Sequence, residues 1–295
     1  MEKRQLIWLT VIAAAVAASV YYHVLLMNRL EQTSALFIGI PALIAAICVL
    51  TPKPQSATGT ALKSVTLFLC LAGALLGEGF ICILMVAPIF YFFAIIVGLA
   101  EDRGRRNKAK NSAHVLSCLL LLGLVPMSTE GVRPSLSFPR EEAVSVERIV
   151  QSSPQQVEAA LAAPPRVDGR LPLYLRLGFP RPVRVTGTTL EPGSNHVIHF
   201  AGGEGKPGDL VLTVTEHQPG FLRFHAIADS SHVAHWLAWE ESEIEWTGLD
   251  ASHTRVRWTL RYRRLLDPAW YFGPWERYAV RLTAAQLIED AATPR

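Results

Sequence analysis

The sequence predicts two parts of different fold class: an all-α membrane domain followed by an α+β domain with an antiparallel sheet and a long C-terminal helix. Three observations support this prediction. Nearly all long apolar runs of the 295 residues lie before Met127. After Met127, seven strand-like runs are separated by turn sequences rich in Gly, Pro, Asp and Ser. Finally, Trp275–Ala292 contains neither Pro nor Gly and has apolar residues at helical spacing.

The apolar half is predicted to cross a membrane about five times, since a bilayer core needs about 20 residues of helix. The first run resembles a secretory signal, but it continues beyond any plausible cleavage site and is interpreted as a retained anchor. The run Val65–Ala100 is too long for one crossing and is divided at Gly77–Gly79. This division places Glu78 at the interface; an intramembrane functional carboxylate is the alternative. The predicted helices cover about residues 6–27, 35–51, 62–77, 80–99 and 113–127.

Charge predicts the orientation of these helices. The segment "EDRGRRNKAKN" at Glu101–Asn111 places five basic residues between two apolar runs. Short cytoplasmic loops collect Lys and Arg. Five crossings put this segment, Lys3–Arg4 and the Lys53–Lys63 loop on the same side. The N-terminus is therefore predicted to be cytoplasmic and the C-terminal domain extracytoplasmic. A bacterial inner membrane with a periplasmic C-terminal domain fits this topology.

The distribution of charge and cysteine excludes some function classes. Residues up to Met127 contain ten Lys/Arg and five Asp/Glu, whereas later residues contain eighteen and twenty. A nucleic-acid-binding domain would concentrate basic charge, so no nucleic-acid partner is expected. All four cysteines lie in apolar runs, so the C-terminal half has no disulfide framework.

The C-terminal half begins with a predicted polar linker at 128–140, and the domain covers 141–295. A strand is predicted first, then a short helix with Ser153 as N-cap and Pro154 at its first position. An irregular apolar segment, six strands and the last helix follow. The apolar positions predicted for that helix are Trp275, Tyr278, Leu282, Ala285 and Ile288.

The C-terminal domain resembles the START-like SRPBCC superfamily, in particular its polyketide cyclase/dehydrase-like branch. The resemblance covers about Glu141–Ala292 and depends on "VSVERIVQSSPQQVEAAL", "EPGSNHVIHF", "TRVRWTLRYRRLLDP" and the closing helix. It implies a helix-grip fold, in which a curved antiparallel sheet surrounds a long C-terminal helix. It also implies a cavity for apolar or amphipathic ligands between them. The multi-pass membrane anchor departs from the family's soluble members.

Period-2 alternation predicts which side chains face such a cavity. One face of the last two strands holds aromatic residues and Glu240, whereas the other holds a row of Glu opposite a row of Arg. The aromatic face is interpreted either as packed core or as a ligand pocket. Glu240 would be partly desolvated there, unless a local bulge turned it outward. The candidate ligand-binding residues are Trp236, Glu240, Trp246, Trp258, Tyr262, Phe200, Phe224 and Tyr278.

The histidines and glycines do not predict a metal or cofactor site. His196 and His199 of "HVIH" would point to opposite faces of a strand, and so would His232 and His235 if extended. No zinc-ligand spacing, nucleophile elbow or phosphate-binding loop occurs in the sequence. No metal and no cofactor are therefore expected, and no catalytic residue is assigned.

These observations favour a membrane-tethered module that binds a lipid or other apolar small molecule. One alternative is an enzyme acting on such a ligand, with Glu240 and Tyr262 as acid/base or orienting groups. Another is a sensory module that docks a protein partner.

Overall fold

The structure is a computed structural model of the full chain. It describes residues 40–76, 80–107, 129–167, 171–176, 179–201 and 207–292, together with eight positions between Arg4 and Ala18. The chain divides into two compact units, Met1–Thr129 and Glu130–Arg295. Most of the first predicted crossing, the last one, and the Gly77–Gly79 break with Glu78 lie outside the described residues.

The N-terminal unit contains three described helices: α1 (Ile40–Leu50), α2 (Ala57–Leu76) and α3 (Phe80–Asn107). Within the described part of this unit, one helical segment, Ile81–Arg105, is long and apolar enough to cross a membrane, with a mean hydropathy of 2.7. Pro41–Leu50 and Ala57–Ala72 are shorter apolar helices. Three of the five predicted crossings thus correspond to helices, but the described residues do not support a count of five.

Helices α2 and α3 form a hairpin whose contacts are specific. The carboxylate of Asp102 on α3 accepts hydrogen bonds from the Ala57 and Thr58 amides, at 2.7 and 3.1 Å, and from the Thr58 hydroxyl at 2.7 Å. These bonds satisfy amides at the start of α2 that have no intrahelical acceptor. One turn earlier on α3, a Cβ on Gly98 would lie 2.3 Å from the Thr58 Cα. The helices therefore approach closely only because residue 98 is glycine.

The C-terminal unit contains a curled antiparallel sheet of seven strands, and all seven predicted strands are confirmed. Their spatial order is β1-β7-β6-β5-β4-β3-β2, so the first strand pairs with the last and the others form a meander. Together with the C-terminal helix, this sheet fits the helix-grip fold. The strands are β1 (Glu141–Val150), β2 (Arg181–Thr186), β3 (Asn195–Ala201), β4 (Gly208–Gln218), β5 (Phe221–Asp229), β6 (Leu237–Gly248) and β7 (Thr254–Arg264).

The short helix α4 (Pro154–Leu161) begins where the sequence predicts. The Ser153 side chain accepts from the Gln156 amide, and the Gln156 side chain accepts from the Ser153 amide at 2.9 Å. This reciprocal capping box fixes the first turn, and Val157 and Leu161 are buried in the core.

The long helix α5 (Ala269–Ala291) packs on β1 and β7, but its buried face differs from the predicted one. Tyr278 was expected inside and is 52% exposed, and of the five predicted positions only Ile288 is fully buried. The prediction chose a stripe rotated around the helix, because apolar residues occur on more than one side of it. The buried residues described on α5 are Gly273, Glu276, Ala279, Val280, Ala284 and Ile288.

The predicted linker contributes to the C-terminal unit. Glu130 is buried, and its carboxylate accepts from Arg264 Nη2 at 3.0 Å and from the Ala269 amide at 2.8 Å. Arg140 Nη2 donates to Asp267 Oδ2 at 2.5 Å. These bonds attach residues 130–140 to the end of β7 and the start of α5.

Candidate functional site

The inner face of the sheet brings four predicted site residues into one apolar cluster. Trp246, Trp258 and Tyr262 are buried on β6 and β7, and Phe224 joins them from β5. The indole N–H of Trp258 donates to the Ser242 hydroxyl at 2.8 Å, which satisfies the one polar atom of this ring. These residues form packed core, and a ligand role for them stays a prediction.

Glu240 does not lie on this face, so its predicted orientation is wrong. Trp239 pairs with Tyr262 and Glu241 pairs with Arg261, so Glu240 is an extra residue in β6. Such a bulge places two residues opposite one and shifts the alternation that follows. Predicted faces are therefore correct from Glu241 to Trp246 and inverted from Leu237 to Trp239, and Trp236 precedes the strand.

The surroundings of Glu240 are those of the outer face. Burial and a hydrogen bond with Glu141 raise the pKa of Glu240, and the charge of Arg263 opposes the increase. Glu141 and Arg263 are paired neighbours on β1 and β7 and are both exposed. Glu240 and Tyr262 therefore do not converge, and the predicted acid/base pair is excluded.

The three remaining predicted residues lie at the margins of the core. Phe200 is half-buried on β3. Trp236 follows a 3-10 helix, His232–His235, and its ring contacts Phe179 with centroids 5.3 Å apart. Tyr278 is exposed, with its ring 5.0 Å from that of Tyr174. Tyr174 lies in a further 3-10 helix, Tyr174–Arg176, and also stacks on Trp275.

The most unusual group beneath α5 is Glu276, which the sequence analysis did not select. Its side chain is buried, with 3% relative exposure of the residue. Neither carboxylate oxygen has a partner at hydrogen-bonding geometry among the described residues. A buried carboxyl group without a partner is costly in its charged form. Because natural cores contain few such groups, this one requires an explanation.

The charge state of Glu276 follows from its neighbours. Burial raises the pKa of Glu276 to about 8, against the opposing positive charges of Arg264 and Arg277. The charge of Glu142 raises it further, and the nearby Leu266 amide, which is outside hydrogen-bonding geometry, lowers it. At neutral pH the side chain is therefore largely a neutral carboxylic acid, which can both donate and accept a hydrogen bond.

A second polar group lies close to Glu276. The Tyr262 hydroxyl donates to Glu142 Oε2 at 3.2 Å, and Arg277 Nη1 donates to both oxygens of Glu142, at 2.9 and 3.1 Å. Burial and the charges of Glu142 and Glu276 raise the pKa of Tyr262. The hydroxyl therefore remains protonated. The candidate site is thus an apolar face with a Tyr hydroxyl and a neutral carboxyl group under one helix.

The sequence did contain a signal for Glu276. Val280, Ala284 and Ile288 are the most deeply buried residues of α5 and are four residues apart. Extending this row by one turn toward the N-terminus reaches Glu276, because residues four apart lie on the same side of a helix. An acidic residue in a buried row is unusual and could have been noticed from the spacing. The prediction missed it because it started from the aromatic residues Trp275 and Tyr278.

The outer face carries the predicted row of Glu opposite a row of Arg, which we call the charge ladder. The ladder extends beyond β6 and β7, the two strands for which it was predicted. Arg257 pairs with Glu147 on β1 at 2.8 Å and with Glu245 on β6 at 3.5 Å. Arg223 on β5 continues the row by bonding Glu243 at 3.0 Å. These exposed pairs stabilise the sheet weakly and point away from the candidate site.

The two histidines of β3 have separate polar partners and do not form a joint site. His196 Nε2 lies 2.9 Å from the Thr189 carbonyl oxygen, and His199 Nδ1 lies 2.7 Å from Asp209 Oδ1. His232 and His235 occupy a 3-10 helix, so the extended conformation considered for them is wrong. Within the part of the chain that the structure describes, no group of three or more His, Cys, Asp or Glu could hold a metal ion.

Comparisons with known proteins find similarity only at the level of three-dimensional structure. No family model and no curated protein matches the chain. The Aha1 dimer protein from Colwellia psychrerythraea is 16% identical, covering 51% of this chain and 98% of its own, with a TM-score of 0.31.

Two further solved structures are similar to the same extent. A START superfamily protein from Mycobacterium smegmatis is 11% identical over 50% of this chain and 97% of its own, with a TM-score of 0.32. The Zhui aromatase/cyclase from Streptomyces sp. R1128 is 14% identical, covering 52% of this chain and 99% of its own, with a TM-score of 0.30. The chain is thus similar to START-like and cyclase-like structures over half of its length.

Proposed function

We propose that the protein binds a lipid or other apolar small molecule beneath α5, in a C-terminal domain tethered to a membrane by the N-terminal half. The observation that carries this proposal is the buried carboxyl group of Glu276, which lies beside an apolar sheet face and has no hydrogen-bond partner among the described residues. Ligand sites are mostly apolar, with a few polar groups that fix orientation. Glu276 and Tyr262 supply those groups, so the ligand has a polar end that exchanges hydrogen bonds.

The carboxylate oxygens of Glu276 are closed off from solvent, so ligand entry requires movement of a covering element. The segment around Tyr174 is the candidate. Tyr174 contacts α5 through the rings of Trp275 and Tyr278, and its buried hydroxyl has no partner among the described residues. An element held by ring contacts, with an unsatisfied hydroxyl, opens at a lower cost than a strand of the sheet.

Membrane tethering is supported by the N-terminal helices. Large apolar side chains are exposed on them, including Leu43 at 61% and Phe92 at 60%, as expected for contact with lipid. The Asp102 cap places the end of α3 beside the start of α2, so the basic segments near Lys63 and Arg105 lie at one end of the hairpin. That arrangement supports placing both segments on one side of the membrane, which we propose is the cytoplasmic side, with the C-terminal domain on the other side.

The test is native mass spectrometry of the full chain released from membranes in detergent. We expect a bound mass that is retained in Glu241→Gln, on the outer face, and lost in Glu276→Leu. Lipids held by the N-terminal helices would remain in both variants, so the difference identifies the ligand under α5. A bound mass unaffected by Glu276→Leu would overturn the proposed site.

A second candidate function is an enzyme that acts on the same ligand. The observation favouring it is a pKa of about 8 for Glu276, because a general acid or base works best with a pKa near the working pH. If this holds, the ligand recovered after incubation with the wild-type protein changes in mass, whereas the ligand incubated with Glu276→Gln does not. An unchanged ligand in both reactions leaves binding as the function.

A further inference from the structure

Five large apolar side chains are exposed on two segments that contact each other: residues 130–140, at the start of the C-terminal unit, and residues 263–270, where β7 ends and α5 begins. We call this set the junction patch. It comprises Val132 (69% exposed), Leu136 (53%), Phe138 (60%), Leu265 (38%) and Trp270 (60%). Scattered exposed apolar residues are ordinary, but five within two short segments are not.

The two segments are held together by a buried ionic clamp. Arg264 is fully buried and donates to Glu130 at 3.0 Å and to Asp267 at 2.8 Å, and it also bonds the Leu266 carbonyl oxygen. Gly131 packs against the same Asp267, since a Cβ at Gly131 would lie 2.3 Å from its Oδ2. Patch residues flank these anchors: Val132 follows Gly131, Leu265 follows Arg264, and Trp270 follows Ala269.

The covalent connection indicates what covers the patch. The last apolar run ends at Met127, three residues before Glu130. Three extended residues span at most about 10 Å. If that run crosses the bilayer, Glu130 and the patch attached to it stay near the headgroups. Trp is the side chain most suited to this depth, because its ring is apolar and its N–H is polar.

The charges of the two segments suit a lipid surface. Residues 130–140 and 263–270 contain four arginines and two carboxylates. Both carboxylates, those of Glu130 and Asp267, are paired with buried or half-buried arginines. Arg133, beside Val132, is exposed and free to face a phosphate. The segments therefore present apolar side chains and positive charge, without uncompensated negative charge.

We infer that the junction patch inserts into the headgroup region of the membrane that holds the N-terminal half, with Trp270 as its anchor. This inference rests on the membrane tethering proposed above. It keeps the first turn of α5 in contact with lipid. Glu276 lies seven residues along the same helix, a rise of about 10 Å. A ligand leaving the bilayer would then reach the candidate site along α5.

The test is quenching of tryptophan fluorescence in the full chain, reconstituted in nanodiscs of zwitterionic and anionic lipid with bromine near the top of the acyl chains. Among the described tryptophans, Trp8 and Trp270 are the strongly exposed ones. We expect Trp270→Phe to remove about half of the quenched emission and Trp8→Phe to remove the rest, because both rings would lie in the bilayer interface. As a matched control, Ile227→Trp introduces an equally exposed ring on β5, and we expect no added quenching.

Each other outcome contradicts the inference in a distinguishable way. If quenching depends only on Trp8, the chain is embedded but the patch does not touch lipid. An unquenched, blue-shifted Trp270 would mean that protein covers the patch, either a second copy or another partner. If neither ring is quenched, membrane tethering fails as well. Equal quenching at Ile227→Trp would show that lipid contact is not specific to the patch.

Discussion

Arg264 donates to Glu130 at 3.0 Å, and this pair joins residues 134 positions apart where neither side chain is accessible to more than 5%. It connects the first residue of the C-terminal unit to the end of its last strand. The same carboxylate accepts from the first amide of α5, so one side chain fixes three segments. The pair is therefore the structural basis of the junction between the predicted linker and the domain.

Replacing Glu130 with Gln should destabilise the C-terminal unit. Breaking a buried ion pair typically costs about 3–5 kcal/mol. We expect a loss of about 2–3 kcal/mol here, because Arg264 retains its ion pair with Asp267. The measurement is the midpoint of thermal unfolding of the full chain in detergent, followed by near-ultraviolet circular dichroism. As the control, Glu147→Gln removes two exposed ion pairs, with Arg255 and Arg257, and should change the midpoint little. Equal midpoints for both variants would contradict this role.

The stability of the protein should depend on pH through Glu276. Its pKa is about 8 in the folded state and 4.5 when it is exposed, so the folded state holds a proton that the unfolded state loses between these values. The stabilisation due to this proton is complete below pH 4.5 and is lost as the pH rises to 8. Relative to Glu276→Gln, the wild-type protein should lose on the order of 3 kcal/mol of stability from pH 5 to pH 8.

The measurement is the free energy of unfolding by denaturant at several pH values. Glu289→Gln, at an exposed position on the same helix, is the matched control and should follow the wild-type pH profile. Parallel profiles for Glu276→Gln and the wild type would show that Glu276 is ionised in the folded protein.

Glu240 should be dispensable for ligand binding, since the bulge turns it to the outer face. We expect Glu240→Gln to retain the bound mass seen by native mass spectrometry. Tyr262→Phe should lower its occupancy, with an affinity loss of roughly tenfold for one lost hydrogen bond. Tyr262→Phe removes only the hydroxyl, so the apolar core stays filled. Loss of the ligand in Glu240→Gln alone would place the site on the opposite face of the sheet.

Gly98 should be essential to the α2–α3 hairpin. In Gly98→Val, the added atoms would meet the Thr58 backbone, which cannot move like a flexible side chain. We expect a loss of about 1–3 kcal/mol from this overpacking, together with weaker capping of α2 by Asp102. The loss of stability is measured by thermal unfolding in detergent. Leu99→Val, at an exposed position of the same helix, is the control. If both variants unfold alike, the close approach of α2 and α3 contributes nothing to stability.

Local sequence patterns predicted the positions of strands and helices better than they predicted which side chains face the core. All seven strands of the sheet and the Ser153-capped helix could be located, because alternation, turn residues and capping are properties of neighbouring residues. Face assignment failed at Glu240, where one additional residue inverts the alternation without any signal in composition. It failed again on α5, where Tyr278 was assigned to the buried row but is 52% exposed.

Local sequence patterns were sufficient to divide the chain into an apolar half and an α+β half, to locate the strands and helices of the α+β half, and to predict the charge ladder on its outer face. Each of these depends on periods of two or four residues along the chain. Tertiary packing turns Glu240 outward and buries Glu276, whose carboxylate has no hydrogen-bond partner in the part of the chain that the structure describes. It also decided that Glu130 is clamped to Arg264. These three outcomes depend on which segments pack together, and burial, not local spacing, determines the charge and partners of each group.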